Sequence, residues 1–488
     1  WRSRRRWGVG SGVFSGLLLA ASPVFYIQAR ACTADGLNFL FTLTAMLALE
    51  NLCFGNGGWR SAAALWTALG LGVLTKGPVA PVFLAATILG LWAVGRSWRR
   101  WEIAAGAILL CLGALGLGPI VLLIPTIAAA TTLLKGKQPV PRLRNFAWFW
   151  GIPLFSALTL PWAVAAWQAT EGAFFRVAIG HHVLDRSVQA LEGHGGFPGF
   201  YLATGVVLAF PWFVPLLGSL GTSWRTRSTD PDLRFLLAWL LGSFAVLEVL
   251  GTKLVHYWMP AYPAAILLIV GWLWTLNPKE APVRQNSAVL QFLGGMVLAA
   301  VPLIVVLLFD LEGLRPLAAT TALPLVIGAT YSGWSLRQYP LRSIIVASSA
   351  SVLFLVLLFA VFMPHLADHL IGPKTAARAT AIRQSGEEMV IYKLRDEELL
   401  FLLPDGVRIC RSPEELTSHL RESRSSLLVI RERDLAALET DQPAIEAEIV
   451  ARVEGVDLGR GRRAVSLLLR TSSITTLDEK QVLSGVGG

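Results

Sequence analysis

"ALGLGVLTKGPVAPVFLAATILGLWAV" (Ala68–Val94) holds one charged side chain, Lys76, in 27 residues. A helix that crosses a bilayer needs about 20 mostly apolar residues. The apolar runs on either side of Lys76, at 59–75 and 77–95, come close to that length. Gly77-Pro78 divides them: proline cannot continue a helix and glycine admits the turn. The stretch therefore reads as two spans joined by a tight break, with Lys76 held at one depth. A lysine at a helix end can simply snorkel to the interface. An ammonium fixed at headgroup level also suits a lipid phosphate.

The pattern recurs along the chain. Apolar segments fall at 8–29, 35–54, 59–75, 77–95, 103–134, 146–167, 199–221, 234–250, 256–276, 288–309, 317–334 and 342–363. The 103–134 segment is too long for one pass and is broken near Pro119, so it reads as a hairpin. The expected fold is a polytopic α-helical membrane protein of about 12 spans, occupying residues 1–365. Of the 488 residues, 54% are hydrophobic and 15% charged, which excludes an ordinary soluble domain. The net charge of +10 is not a nucleic-acid signal, because the basic residues segregate by loop. "WRSRRRW" at the start, Arg60 and the loops at 96–101, 135–144, 223–234, 277–284 and 337–342 carry 19 Lys and Arg. The alternate loops carry six: Arg30, Lys76, Arg176, Arg186, Lys253 and Arg315. By the positive-inside rule the first set is cytoplasmic and the second faces outward.

Composition changes after Pro364. "EEMVIYK", "GVRICRSPEELTSHLRES", "SLLVIRERDLAALE" and "AVSLLLR" alternate short β-rich runs with polar helical ones. They predict a small outward-facing α/β domain over 375–475, with Ser412 capping a helix that has Pro413 in its first turn. The tail, 476–488, is expected to be flexible. Cys32, Cys53, Cys111 and Cys410 show no CxxC spacing, so neither a metal knuckle nor a disulfide framework is expected. The first residue is Trp1 and no signal peptide precedes it, so the chain is expected to begin inside a longer protein.

Polar side chains collect at the outward face. Asp35 stands where a span begins, as a helix cap or as a carboxylate for a polar ligand or a metal. "EGAFFRVAIGHHVLDRS" (171–187) has the apolar spacing of an amphipathic helix lying on the membrane. Within it His182 and Arg186, four apart, share a face. A guanidinium fork grips phosphate, and a neutral imidazole binds metal or moves a proton. His194 reads as part of a flexible turn. Lys253, His256 and Tyr257 place a cation, an imidazole and a phenol at the outward end of another span. Glu248 falls inside an apolar run, where a carboxylate is costly and usually paired, with Lys253 as the candidate partner. No GxGxxG after a strand and no GxxxxGK[ST] motif is present; an enzyme acting at the outer face, where nucleotide sugars are absent, would need a lipid-carried donor.

Taken in order, "LLLAASPVFYIQARACTADGLNFLF", "LGLGVLTKGPVAPVFL", "GHHVLDRSVQALEGHGG" and "TKLVHYWMPAYPAAILL" resemble the bacterial family 39 glycosyltransferases over residues 10–275. These are relatives of the lipid A aminoarabinose transferase and of protein O-mannosyltransferases. The resemblance implies a GT-C fold in the bacterial inner membrane, with its site and C-terminal domain periplasmic. It implies inverting transfer of a sugar from a polyprenyl-phosphate donor to a lipid or protein acceptor. On it, Lys76, Arg186, Lys253, His256 and Tyr257 fall on donor-phosphate positions, Asp35 on a supporting catalytic position and His182 near a divalent metal ion. His181 stands where many relatives carry Glu. The family's main catalytic acid, in its first outward loop, is expected to lie outside this sequence. A transporter or flippase of a lipid-linked glycan is the alternative, although such proteins often show internal repeats and mid-membrane ionisable groups, and here no repeat is seen.

Overall fold

A computed structural model of the chain describes residues 2–95, 108, 143–185, 195–275, 285–394, 397–403, 406–422, 425–441 and 447–472, with 143, 144, 181–185, 397, 398, 422, 439–441 and 472 through their backbone. By compactness the chain divides into two units. One comprises the chain up to Ala300 together with Ala322–Leu355, and the other Val301–Thr321 together with the chain from Val356 onward.

The helices follow the apolar segments closely. In chain order they are α1 (Arg2–Trp7), α2 (Val9–Ala20), α3 (Pro23–Arg30), α4 (Ala34–Phe54), α5 (Trp59–Lys76), α6 (Val79–Val94), α7 (Trp148–Thr170), α8 (Phe200–Leu208), α9 (Phe213–Thr226), α10 (Pro231–Val249), α11 (Tyr262–Thr275), α12 (Gln285–Leu308), α13 (Arg315–Ser335) and α14 (Pro340–Leu357). Among the described residues, five helical stretches are long and apolar enough to cross a membrane, or six if the bent pair α2–α3 is one span. The protein is thus a polytopic helical membrane protein. The expected 103–134 hairpin lies outside the described residues apart from residue 108.

Two segments read as single spans are broken. The 8–29 segment bends by 72° between α2 and α3. Pro23, at the start of α3, cannot donate into the preceding turn, and the Ser351 hydroxyl donates to the Ala21 carbonyl at the break. The 199–221 segment is split into α8 and α9 around Pro211, whose carbonyl accepts from the Gln291 side-chain amide at 2.8 Å.

Tight packing at the centre of the first unit rests on two glycines. A Cβ on Gly90 of α6 would sit 2.4 Å from the Ala238 carbonyl oxygen of α10. One on Gly242 of α10 would sit 2.2 Å from the Ala86 carbonyl oxygen of α6. The two backbones therefore touch where hydrogen replaces a side chain, the close approach that small residues allow between apolar helices. Phe235, Trp239, Trp212 and Tyr262 fill the surrounding core, the last two edge to face at 4.7 Å.

In the second unit the chain continues from α14 through a π-helical turn, Leu358–Phe362, to Ala367, then α15 (Ile371–Ile382). The sheet strands are β1 (Glu388–Tyr392), β2 (Arg408–Cys410), β3 (Ser425–Arg431), β4 (Ala447–Asp457) and β5 (Arg462–Ser472), ordered β2-β1-β3-β5-β4. The first three run parallel and the β4–β5 hairpin is antiparallel, giving a mixed sheet. The expected Ser412 cap is present. The Glu415 amide donates to the Ser412 hydroxyl, and the Glu415 carboxylate reaches back one residue past the cap to accept from the Arg411 amide at 2.7 Å. Arg463 of the hairpin donates to the Phe309 carbonyl at 2.7 Å. Val306, Phe309, Phe362, Leu366 and Val456 form one apolar cluster within this unit.

Candidate functional site

Three helical elements converge at Asp35. It is the second residue of α4, near the positive end of the helix dipole, where a carboxylate is stabilised. It does not act as a cap: its Oδ1 pairs with the Lys76 ammonium, at the last residue of α5. Gly77 follows at φ +63°, a conformation that ends α5 and starts the turn into α6. His256 Nε2 approaches the other Asp35 oxygen at 3.8 Å. The Tyr257 ring lies under the Lys76 ammonium at 5.3 Å, within cation–π range, and meets the His256 imidazole edge to face at 5.0 Å. His256 and Tyr257 sit on the 3-10 turn Val255–Ala261 that leads into α11. Asp35 and Lys76 are 41 residues apart, and neither is adjacent in sequence to the turn that completes the cluster.

A second, deeper pair adjoins this turn. The Lys253 side chain is fully buried, and its ammonium bonds to the Glu248 carbonyl and lies 3.8 Å from the Glu248 carboxylate. The pairing suggested by sequence is therefore realised. Glu248 Oε1 also accepts from the Gly199 amide, and the Lys253 stem lies against Gly196, where a Cβ would clash at 2.6 Å. The ammonium stands 5.8 Å from the centre of the Tyr201 ring. Burial pushes the Lys253 ammonium down from the ordinary lysine value, and the neighbouring Glu248 charge raises it. The pair thus fastens the segment at 196–201 to the end of α10. Sequence reasoning passed over Tyr201 and Gly199, because a buried tyrosine after "GFPGF" carries no spacing signal.

The site residues read from the sequence fall into three groups. Asp35, Lys76, His256 and Tyr257 come together. Lys253 belongs to the buried pair beside them, sealed from solvent where Lys76 keeps 27% of its side chain exposed. His182 lies on a π-helical stretch, Arg176–Asp185, described through backbone alone at that position; Arg186 and His194 lie outside the described residues. The amphipathic α-helix expected here is instead a short α-turn, Ala173–Phe175, running into that π-helix, with Phe174, Val177 and Ile179 exposed. Among the described residues no three His, Cys, Asp or Glu side chains converge as a metal site would require.

The described residues thus combine a bundle of apolar helices, a charged cluster where three helical elements end, and a mixed-sheet domain. Residues 1–130 match the family model described as dolichyl-phosphate-mannose-protein mannosyltransferase. An undecaprenyl phosphate-α-4-amino-4-deoxy-L-arabinose arabinosyl transferase of Pectobacterium atrosepticum is 26% identical over 209 residues, 42% of this chain and 36% of the relative. A protein of the same name from Yersinia pestis is 27% identical over 202 residues, 40% of this chain and 35% of the relative. The matches thus span about a third of the length of these curated relatives. The crystal structure of ArnT from Cupriavidus metallidurans bound to undecaprenyl phosphate superposes with a TM-score of 0.63 at 18% identity, covering 95% of this chain and 80% of that one. Its apo state superposes equally well. The chain is related to the family 39 membrane glycosyltransferases, as the sequence motifs imply, and has an ArnT-like fold.

Proposed function

We propose that the chain takes part in transferring a sugar from a polyprenyl-phosphate donor, at the outward face of a bacterial inner membrane, to a lipid or protein acceptor. The observation that carries this reading is the Asp35–Lys76–Tyr257–His256 cluster: a partly exposed ammonium, held in place by a carboxylate and an aromatic face, at the end of three spans. In the transfer, an acceptor oxygen attacks the anomeric carbon and the bond from that carbon to the phosphate oxygen breaks. The acceptor proton goes to a carboxylate base. Negative charge grows on the departing polyprenyl phosphate, and cations already in place lower the barrier without reorganising. Attack from the face opposite the leaving phosphate inverts the configuration.

Lys76 is the phosphate contact in this scheme, with Arg186 a second cation supplied by the loop. Asp35 orients the ammonium and His256 completes the polar rim. Lys253 acts at one remove from the donor. Buried on Glu248, it sets the position of the turn that bears His256 and Tyr257. Release of polyprenyl phosphate from a radiolabelled lipid-linked sugar, with the protein in liposomes, tests the reading. Release that falls at least tenfold in Lys76→Ala supports it. Movement of the intact donor across the bilayer without release would instead indicate a transporter.

A further inference from the structure

The turn that carries His256 and Tyr257 is held from two sides, and one hold is incomplete. On one side its side chains join the Asp35–Lys76 cluster: the Tyr257 ring lies beneath the Lys76 ammonium and His256 approaches Asp35. On the other side stands Tyr201, the second residue of α8, 1% exposed. Its place is fixed by its neighbours. The Gly199 amide, at the cap of α8 with φ +87°, donates to Glu248. The Phe200 ring meets the Tyr201 ring edge to face at 5.2 Å, and the Lys253 ammonium lies 5.8 Å from its centre. The Tyr201 hydroxyl thereby approaches the Leu254 backbone, at the entry to the turn, within the field of the Glu248 carboxylate and the Tyr257 phenol. It completes no hydrogen bond, and Glu248 Oε2 is likewise buried without a partner. A phenol can accept one hydrogen bond and donate another, so this hydroxyl matches an amide N–H at Leu254 and a carboxylate oxygen at Glu248. Buried polar atoms left unmatched are costly, and each calls for an explanation. The path from here to the cluster is short. The Tyr257 amide donates to the Leu254 carbonyl at 3.0 Å, so a shift at Leu254 is passed to the Tyr257 ring. Hydrogen bonds in a 3-10 turn have poorer geometry than those of an α-helix, which leaves such a turn room to adjust.

We propose that Tyr201 is a positioning residue for the Lys76 site, and that its hydroxyl bridges Leu254 and Glu248 when an anion engages the Lys76 ammonium. The bridge holds the turn so that Tyr257 stays beneath the ammonium and His256 stays beside Asp35. A contact made in one state alone favours that state. The hydroxyl therefore adds to the affinity for the anion without adding to the stability of the free protein. Tyr201 itself touches neither donor nor acceptor, and its role rests on the reading of Lys76 as the phosphate contact.

The test is titration of undecaprenyl phosphate into the purified full chain, comparing parent, Tyr201→Phe, Lys76→Ala and the double variant. Melting temperatures are measured on the same samples without added lipid. Phenylalanine keeps the ring and its packing and removes the hydroxyl alone. Tyr201→Phe binds about fivefold more weakly, the worth of one net hydrogen bond, and melts no lower than the parent. In the Lys76→Ala background the same change has no further effect, since a residue that acts through the ammonium has nothing left to position. Parent-like binding by Tyr201→Phe, with Lys76→Ala binding weakly, would overturn the proposal and leave the phosphate contact standing. The same loss in both backgrounds, with a lower melting temperature, would reduce Tyr201 to a packing role and overturn it as well. Parent-like binding by Lys76→Ala would remove the phosphate contact itself, and the role of Tyr201 with it.

Discussion

Lys76 and Lys253 look alike in sequence, each a lone cation beside an apolar run, yet their surroundings give them opposite roles. Lys76 is partly exposed and held from one side by Asp35 and from below by Tyr257. An added anion can reach it. Lys253 has no exposed side-chain surface and spends its charge on Glu248. Removing one member of a buried pair strands the other, at about 3–5 kcal/mol, whereas replacing both by apolar groups is often neutral. Lys253→Met is therefore expected to lower thermal stability by an amount of that order, and the double variant Lys253→Met/Glu248→Leu to recover much of it; differential scanning fluorimetry in detergent measures both. Lys76→Met, by contrast, is expected to lower the melting temperature less than Lys253→Met does, since a partly exposed ion pair contributes less than a sealed one. The sequence identified both lysines and suggested the Glu248 partner, five residues away. It gave no sign that Lys76 meets Asp35, because a contact across 41 residues is made by the packing of α4 on α5 and leaves no periodic trace.

At the scale of elements, the apolar segments located the described spans to within a few residues, because a run of hydrocarbon bounded by charge has little freedom in where it can end. Breaks inside those runs were harder to read. Pro23 bends the first span and Pro211 splits another, while Pro302 and Pro324 lie inside α12 and α13, so proline alone does not announce a break. The crossing of α6 and α10 depends on Gly90 and Gly242, neither of which stands out among 45 glycines. Gly242→Val is expected to force the two backbones apart and to cost at least about 1–3 kcal/mol, the usual penalty of overpacking. Loss of the monodisperse peak on size exclusion, or a melting temperature several degrees lower, would register it. In the sheet domain the strands with apolar runs were legible, and so was the Ser412 cap. Strand β4 was not: "AEIVARVEGVD" alternates charges along an edge whose side chains are largely exposed, and an edge strand has little hydrophobic signature. Ser412→Ala is expected to destabilise that helix by about 1 kcal/mol, read as faster amide exchange over Pro413–Glu422.

The whole molecule combines a bundle whose polar residues gather at helix ends with a sheet domain that depends on its own ion pairs. Glu387 is nearly sealed, which works against its charge, yet hydrogen bonds from Arg470 at 2.8 Å and from the Gln384 amide hold its carboxyl below the ordinary glutamate range. A carboxyl whose value is depressed on folding adds stability above its unfolded value, near pH 4.3, and that contribution fades as the pH falls through the folded value. Acidification below about pH 4 is therefore expected to loosen this domain, with a weaker acid response in Glu387→Gln, followed by circular dichroism of the full chain. The central claim concerns the other unit: that the Lys76 ammonium, ordered by Asp35 and Tyr257, holds a polyprenyl phosphate. Binding of undecaprenyl phosphate to the purified chain, titrated with parent and Lys76→Ala protein side by side, tests it most directly. Loss of one charge-assisted contact, about 1.5–3 kcal/mol, predicts affinity weaker by roughly 10- to 100-fold with the fold intact. Equal affinity in the two proteins would contradict the account.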